Sequence, residues 1–379
     1  MTTTEIDGVC DAKFAAVKDA FAKNFAEGLE VGASFAATVN GEIVVDLWGG
    51  DRDEHGKPWE RDTIVNVYST TKTMTALSAL LLADRGQLDV HAPVARYWPE
   101  FAANGKADVK VSHLLAHASG LSGWEAPLKA EDLYDWDKAT SLLAAQAPWW
   151  KPGERSGYHA ITQGYLVGEV VRRISGKSLG TFFREELAQP LGADFWIGLP
   201  ASEDARVGDL IPPPRPENPP PPAPAGSIAA KMGNPAVNAL EPRTRAWRAA
   251  EIPAAGGIGN ARSVAQVQTV LANLGAANGK RIISEAGARR ALELQIDNVD
   301  LVFGTPIKFG LGYGLPGEAF QMLPHRDASC FWGGWGGSIV MIDMEARACI
   351  AYVPNKMGNG TMGDLRGFRP MRQVFAALS

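Results

Sequence analysis

The sequence is poor in cysteine and histidine, and the number and spacing of its cysteines exclude two structural features. Three of the 379 residues are cysteine and six are histidine. Cys10, Cys330 and Cys349 are odd in number and show no C-x-x-C spacing, so they fit neither a disulfide framework nor a thiolate metal site. We therefore expect a reducing compartment for this chain.

Long apolar runs and an excess of positive charge are also missing. No stretch reaches about 18 apolar residues, the length that a membrane-spanning helix needs. The N-terminus lacks a basic region followed by an apolar one and so does not resemble a signal peptide; we expect a cytoplasmic protein with no membrane partner. The formal net charge of −5 provides no basic field to attract nucleic acid.

What the sequence does contain is ordinary globular composition, with 46% hydrophobic and 21% charged residues, enough to bury a large core. Apolar residues recur at helical spacing in "FAAVKDAFAKNF", which predicts a first amphipathic helix. The stretch "ASFAATVNGEIVVDLWGG" predicts two strands joined at Asn40-Gly41, a dipeptide that favours the type I′ hairpin turn.

The two ends of the chain together predict one sheet. Near the C-terminus, "CFWGGWGGSIVMIDMEARACIAYVP" contains three more apolar segments separated by turn-like breaks. We expect residues 1–85 and 255–379 to form an α/β (α+β) domain with a five-stranded antiparallel sheet. The first helix, the last helix and "SVAQVQTVLANLG" are expected to cover one face. In that segment, Ser263 and Gln266 match a capping box.

Residues 86–254 show a different pattern, of helical segments and long loops. Helical spacing in "VSHLLAHASGL", "ATSLLAAQ" and "ITQGYLVGEVVRRISG" predicts a mainly helical domain inserted in the α/β domain. A proline-rich tract occupies residues 211–226. It is either a polyproline connector or a semi-rigid wall over an active site, and its composition does not separate these two interpretations.

The S-x-x-K pattern occurs once, as "STTK", where a loop turns into a long apolar helix. Residues three apart lie on the same face of a helix, so Lys72 can reach the Ser69 hydroxyl. In one interpretation Lys72 extends to solvent and Ser69 only caps the helix. In the other, desolvation lowers the lysine pKa and makes Lys72 a proton acceptor for a serine nucleophile.

Other candidate nucleophiles and metal ligands are less well placed. Ser178 lies in "GKSLG", but the helical spacing before it cannot supply the strand that a G-x-S-x-G nucleophile elbow needs, and we predict that it caps the next helix. His113 and His117 lack the adjacent glutamate of a metalloprotease, so we interpret them as a buried structural pair. His325 is interpreted as a surface or rim histidine.

Two further segments carry groups that a serine–lysine site needs. Tyr158 lies in a glycine-containing loop before a helix, where its phenol either packs in the core or points into a cleft. The stretch "FWGGWGGS" places two glycine pairs in a strand, which indicates a bulge or the close approach of another backbone or a ligand.

In this order, S-x-x-K near residue 70, a tyrosine at 158 and Trp-Gly-Gly near the C-terminus resemble the serine β-lactamase and penicillin-binding-protein superfamily. The chain is similar in particular to class C β-lactamases and the related family VIII carboxylesterases, and the resemblance covers nearly its whole length. It implies a β-lactamase/transpeptidase-like fold and requires no metal or cofactor. The segments that carry it include "VDLWGG", "STTK", "LLAHASGL", "KPGERSGYHAITQGYLVGEVV", "AAGGIGNARS" and "FWGGWGGS".

The resemblance also implies roles for individual residues. Ser69 would be the acylated nucleophile, Lys72 its base partner, and Tyr158 the group that activates Ser69 and later the leaving group or water. Trp332-Gly333-Gly334 would stand where the lactam-binding enzymes have Lys-Thr-Gly. The backbone N–H groups of Ser69 and Trp335 would form the oxyanion hole.

Two departures from the family pattern concern the substrate. The asparagine expected two residues after the tyrosine is absent, since the segment is Tyr158-His159-Ala160, and the motif lysine is replaced by Trp332. We expect His159 and the Trp332 triplet to contact substrate. Recognition of a substrate carboxylate should be weak, because a hydrogen bond to a charged group contributes about 1.5–3 kcal/mol.

We therefore expect a serine carboxylesterase that acts on a small, short-chain, neutral ester, with transesterase and weak β-lactamase side activities. The alternatives are a β-lactamase or D-alanyl-D-alanine carboxypeptidase using the same site, an α/β-hydrolase using Ser178, and a non-enzymatic penicillin-binding-like sensor. The expected partner is the small-molecule ester, and the sequence gives no oligomeric state. Candidate walls of the acyl pocket are Trp124, Tyr134, Trp149, Trp150, Trp332 and Trp335.

Overall fold

The computed structural model describes residues 4–213, 221–317 and 326–379. Numbered in chain order, its strands are β1 Ile6–Cys10, β2 Gly32–Val39, β3 Glu42–Gly50, β4 Val65–Asn66, β5 Trp196–Ile197, β6 Gly257–Gly259, β7 Ala276–Ala277, β8 Lys280–Arg281, β9 Ile296–Val299, β10 Pro306–Phe309, β11 Gly314–Leu315, β12 Ser329–Gly333, β13 Ile339–Asp343 and β14 Ala348–Pro354. Its α-helices are α1 Ala15–Ala26, α2 Thr71–Asp84, α3 Val111–Leu115, α4 Trp136–Ala145, α5 Thr162–Ser175, α6 Leu179–Phe183, α7 Gln189–Leu191, α8 Ile228–Met232, α9 Arg245–Ala249, α10 Ala261–Ala272, α11 Glu285–Arg289 and α12 Leu365–Leu378.

Within these ranges, nine strands form one antiparallel sheet in the order β1-β3-β2-β14-β13-β12-β11-β10-β9. The five predicted strands are β2, β3, β12, β13 and β14, which lie together at its centre, and the predicted fold class is confirmed. The sheet is wider than the predicted five strands, because β1 extends one edge and β9 to β11 extend the other. The sequence of β1 did not predict a strand, because only its first residue, Ile6, is buried and no alternation of apolar and polar residues results.

The turn between β2 and β3 agrees with the sequence. Asn40 and Gly41 have φ angles of 52° and 89°. A type I′ turn requires positive φ at both central residues. The hairpin pairs Val39 with Glu42 across this turn, so the predicted turn is confirmed.

The helices cover both faces of the sheet, which corrects the prediction that three of them share one face. Ile339 and Met341 of β13 belong to a hydrophobic cluster with α1 and α12, whereas Val340 and Ile342 belong to the cluster that contains α10. Every residue of β13 is buried. A continuous apolar run of this kind does not show which helix lies on which side.

The N-cap of helix α10 lies three residues before the predicted cap, Ser263. Its N-cap is Asn260, whose side-chain oxygen accepts from the Ser263 N–H at 3.0 Å, and the Ser263 hydroxyl accepts from the Asn260 N–H at 3.0 Å. The capping box therefore has Ser263 as its second member, and the predicted pairing with Gln266 is wrong. Asparagine is as good an N-cap as serine, so the sequence permitted either start.

Helix α2 lies at the centre of the molecule. Every residue from Thr71 to Leu82 is buried, and the helix packs against α5, α6, α10 and α11. A helix without a solvent-facing side belongs to a core, and any charged residue on it needs internal partners. Lys72 is such a residue.

The ends of the chain supply the sheet and the middle supplies most short helices. All nine strands of the large sheet lie before residue 51 or after residue 295, and α3 to α9 lie between residues 111 and 249. One hydrophobic cluster nevertheless joins Leu77 of α2 to Leu166 of α5. The division into two domains stays a prediction, and residues 214–220 of the proline-rich tract lie outside the described residues. No helix in the described ranges is long and apolar enough to span a bilayer.

Candidate active site

Ser69 lies in a turn of unusual backbone geometry just before α2. Its neighbour Tyr68 has a φ of 45°, in the left-handed region that residues with side chains rarely adopt. The Tyr68 ring lies 5.2 Å from the Trp335 ring and 6.4 Å from the Trp247 ring, and its hydroxyl donates to the Ala239 carbonyl at 3.2 Å. These contacts hold a conformation that costs roughly 1–3 kcal/mol. The sequence pattern gave no sign of this role for Tyr68.

Two side chains converge on the hydroxyl oxygen of Ser69. Lys72 Nζ lies 3.1 Å from Ser69 Oγ and donates to the carbonyls of Ala160 at 2.7 Å and Ala254 at 3.0 Å. The Tyr158 hydroxyl donates to Ser69 Oγ at 2.6 Å. The structure thus brings together the three residues that the sequence predicted as catalytic.

Burial controls the charge of both partners of Ser69. Lys72 is 1% exposed, so the interpretation in which it extends to solvent is wrong. Within the described part of the chain no carboxylate bonds to the amine, and burial lowers the pKa of Lys72 well below its usual value. Burial also raises the pKa of Tyr158 above that of a free phenol. The lowered pKa of Lys72 favours a neutral amine, and the raised pKa of Tyr158 favours a neutral phenol in the resting site.

The Trp-Gly-Gly segment at the end of β12 lies against the Ser69 turn. A Cβ added to Gly334 would lie 2.1 Å from the Val67 carbonyl oxygen and 3.1 Å from the Ser69 nitrogen. Among the described residues, the N–H groups of Gly334 and Gly336 donate to backbone carbonyls, whereas the Trp335 N–H between them has no backbone partner. The Trp335 N–H is therefore free to act as an oxyanion donor beside Ser69.

Replacing Gly334 by alanine is expected to lower kcat/KM for an ester by about 10²–10³, the typical cost of one lost oxyanion-hole donor. The added methyl group would collide with the Val67 carbonyl and move the turn that carries Trp335. Gly317→Ala is the matched control, since a Cβ there would lie no closer than 3.7 Å to any atom of the residues that the structure describes. Steady-state kinetics would contradict this role of the turn if Gly334→Ala kept wild-type kcat/KM.

A cavity of about 450 Å³ opens beside Ser69. Its lining is mostly apolar, and none of the described residues that line it is charged. The segment 232–237, which follows the proline-rich tract, forms one wall. Of the six aromatic residues predicted as walls, only Trp335 is among the described residues that line the cavity. For the other five the prediction is wrong, because they lie outside it. The lining consists of Tyr68, Ser69, Tyr158, Ala160, Ile161, Met232, Gly233, Pro235, Ala236, Val237, Ala255, Phe303, Trp335 and Thr361.

His159 and Trp332, which were predicted to contact substrate, do not line this cavity. His159 is fully buried, with its two ring nitrogens 2.6 and 2.7 Å from neighbouring oxygen atoms. The buried Trp332 ring lies 5.6 Å from the ring of Tyr158, and Gly333 packs against the backbone of Met362. The prediction is therefore corrected, because these residues support the site from the core.

Ser178 has the structural role that the sequence predicted. Its hydroxyl accepts from the Thr181 N–H at 3.3 Å as the N-cap of α6 and donates to Glu251 at 2.6 Å. Helix α5 precedes it where a nucleophile elbow would need a strand. The prediction that no such elbow forms here is confirmed.

The histidine pair is confirmed only in part. His117 is buried, and burial lowers its pKa well below the usual value, whereas His113 is only partly buried. The described residues contain no group of His, Cys, Asp or Glu side chains that could hold a metal ion. His325 lies outside the described residues.

Comparison with known proteins gives matches over nearly the whole chain. The family model described as Beta-lactamase matches residues 21–369. The chain is 36% identical over 390 residues to the esterase/β-lactamase LipL of Mycobacterium tuberculosis (strain ATCC 25618 / H37Rv), covering 95% of this chain and 86% of LipL. The crystal structure of a family VIII carboxylesterase matches with a TM-score of 0.93 and 42% identity, covering 98% of this chain and 100% of that one.

A penicillin-binding protein homologue from Caulobacter crescentus matches with a TM-score of 0.91 and 38% identity, covering 98% of this chain and 100% of the homologue. The predicted resemblance is thus confirmed by sequence and by fold. The chain belongs to the serine β-lactamase and penicillin-binding-protein superfamily as a family VIII carboxylesterase, a serine hydrolase of carboxylic esters.

Proposed function

We propose that this carboxylesterase hydrolyses neutral, short-chain esters through an acyl-enzyme on Ser69, with Lys72 accepting the Ser69 proton and Tyr158 protonating the leaving alcohol. One observation carries the proposal. Lys72 Nζ and Tyr158 Oη both lie within hydrogen-bond distance of Ser69 Oγ, at a cavity whose described lining contains no charged residue.

The hydrogen bonds of the resting site support Lys72 as the base. A neutral amine has two N–H donors and one lone pair, and two carbonyls, of Ala160 and Ala254, accept from Lys72. The lone pair is then left to accept the Ser69 proton, while the Tyr158 hydroxyl donates to Ser69 Oγ. The lowered pKa of Lys72 and the raised pKa of Tyr158 favour this arrangement over a charged amine beside a phenolate.

The reaction begins when Ser69 Oγ attacks the ester carbonyl carbon and its proton moves to Lys72 Nζ. The tetrahedral oxyanion accepts hydrogen bonds from the N–H groups of Ser69 and Trp335. As the carbon–oxygen bond to the alcohol breaks, Tyr158 gives its proton to the leaving oxygen, and Lys72 returns a proton to Tyr158. Water then attacks the acyl-enzyme by the reverse proton route, and a second alcohol in its place would give transesterification.

The uncharged cavity supports a neutral substrate. β-Lactams and D-alanyl peptides present a carboxylate, and the motif lysine that would bind it is replaced by the buried Trp332. Loss of one charged hydrogen bond weakens binding by roughly 10- to 150-fold. The name of LipL, esterase/β-lactamase, supports a weak β-lactamase side activity. The intact Ser69, Lys72 and Tyr158 group argues against a non-enzymatic sensor.

Two substrate comparisons test this proposal with the wild-type enzyme. We expect kcat/KM for p-nitrophenyl butyrate to exceed that for mono-p-nitrophenyl succinate, its anionic analogue of equal chain length, by at least about tenfold. We expect a chromogenic cephalosporin to react more slowly still. Equal rates for the neutral and anionic esters would contradict the neutral-substrate proposal, and cephalosporin turnover comparable to ester turnover would favour the β-lactamase alternative.

A further inference from the structure

The tip of the β9–β10 hairpin, residues 300–305, is hydrogen-bonded to the loop that carries Tyr158. The buried Asp300 accepts three backbone hydrogen bonds at Oδ1, from the N–H groups of Tyr158 at 3.2 Å, Val302 at 2.8 Å and Phe303 at 3.0 Å. The Leu301 N–H donates to the Ser156 carbonyl at 2.9 Å. One carboxylate therefore fixes both the hairpin tip and the backbone of Tyr158.

The same tip places an aromatic ring on the Tyr158 phenol. Phe303 stacks on Tyr158 with ring centroids 4.7 Å apart and an interplanar angle of 25°. Phe303 also lines the substrate cavity. The phenol is thus held between Phe303 on one side and the Trp332 ring, 5.6 Å away, on another.

The charged and titratable groups around Tyr158 come from three other elements. Lys72 Nζ of α2 lies 4.9 Å from the phenol ring centre, and the ring of His117, after α3, lies 5.0 Å away. Burial lowers the pKa of both groups, so both favour the neutral form. Asp300 adds its negative charge from the hairpin tip, and this charge raises the pKa of Tyr158 further in the direction set by burial. His159, on the same loop, also has its pKa lowered by burial, to about 3.

We propose that Asp300 is a positioning residue for Tyr158: its carboxylate holds the phenol and its Phe303 cover in place so that Tyr158 can protonate the leaving alkoxide. The inference rests on the proposed function, because it assigns a task to the same Ser69 site. Neither the sequence motifs nor the family pattern marked Asp300, which lies 142 residues from Tyr158 in the chain.

Esters with different leaving groups test the role of Asp300. p-Nitrophenolate leaves as a stable anion without a proton, whereas ethoxide needs one from the enzyme. In Asp300→Ala, kcat/KM for ethyl butyrate is expected to fall by about 30- to 100-fold, which does not exceed the lower end of the 10²–10⁴ range of general acid catalysis because Tyr158 itself is kept, and kcat/KM for p-nitrophenyl butyrate by no more than about threefold. Asp300→Asn, which keeps an acceptor oxygen, should recover most of the activity on ethyl butyrate.

Asp297→Ala is the matched control, since Asp297 is half exposed on β9 and pairs with Lys308 at 3.6 Å. We expect it to hydrolyse both esters at wild-type rates. Phe303→Leu keeps the hydrogen bonds of Asp300 and should show a smaller loss that is again selective for ethyl butyrate. This variant provides the test if Asp300→Ala unfolds.

An equal loss on both esters, or no loss on ethyl butyrate, would overturn the role of Asp300. Failure of the proposed function looks different. In that case the wild type would hydrolyse neither ester, or Ser69→Ala would retain both activities, whatever the result at Asp300.

Discussion

Replacement of Ser69 by alanine is expected to lower kcat for p-nitrophenyl butyrate by about 10⁴–10⁶, the range found when a serine hydrolase loses its nucleophile. The proposed reaction has no other route to a covalent intermediate. Lys72 and Tyr158 only transfer protons, to and from Ser69 and the leaving alcohol of the ester. The oxyanion donors and the cavity would remain and account for a small residual rate.

Mass spectrometry of the intact protein provides the second measurement for Ser69→Ala. With an ester that deacylates slowly, the wild type should gain the mass of one acyl group and the variant should gain none. Ser69 precedes α2 and is only half-buried, so the variant is expected to unfold near the wild-type temperature. A thermal melt at that temperature would show that the activity was lost without loss of structure.

Ser178→Ala is the matched control for Ser69→Ala. Both residues are serines at the start of a helix, yet Ser178 only caps α6 and bonds to Glu251. Loss of an N-cap costs about 0.5–2 kcal/mol, so this variant should be slightly less stable and fully active. Activity retained in Ser69→Ala and lost in Ser178→Ala would reverse the assignment of the nucleophile.

The catalytic group could be predicted from the sequence because two of its three residues, Ser69 and Lys72, are close together in the chain. Ser69 lies in the helical turn that leads into α2 and Lys72 lies three residues later in the first turn of α2, so local helical geometry alone places their side chains together. Tyr158 lies 89 residues from Ser69 in the chain, and only its resemblance to a family motif connected the two. The Asn40-Gly41 turn was predictable for the same local reason.

The remaining features depend on contacts between distant segments. β1 was missed because an edge strand with one buried residue carries no apolar alternation. Asp300 and Phe303 contact Tyr158 from the tip of the β9–β10 hairpin, and no rule of sequence spacing connects that tip to the loop of Tyr158. His159 is adjacent to Tyr158 in the sequence, but its side chain turns into the core, so adjacency to a catalytic residue did not predict contact with the cavity.

Replacement of Lys72 by methionine is expected to lower kcat/KM for p-nitrophenyl butyrate by about 10³–10⁴, near the upper end of the range for general acid–base catalysis. Methionine is also long and unbranched and can fill the space on α2, but it has no lone pair on nitrogen to accept the Ser69 proton. Lys72→Arg should be equally inactive, because a guanidinium cannot lose its proton near neutral pH. Near wild-type activity in either variant would exclude Lys72 as the base.

The pH dependence of stability tests the charge state of Lys72 separately from catalysis. Its pKa is lowered by burial in the folded protein and returns to about 10.4 when the chain unfolds. Between these two values the unfolded state binds one more proton than the folded state. The free energy of unfolding therefore gains up to about 1.4 kcal/mol for each pH unit of increase, and the gain stops above the unfolded pKa.

Lys72→Met removes this titration, so its free energy of unfolding should rise less with pH than that of the wild type over the same interval. Urea unfolding at a series of pH values from 6 to 10 would measure both slopes, and Lys106→Met provides a control for a second lysine whose pKa burial lowers less strongly, to about 8. Parallel slopes for Lys72→Met and wild type would mean that Lys72 stays charged in the folded protein. In that case Tyr158, and not Lys72, would have to accept the Ser69 proton.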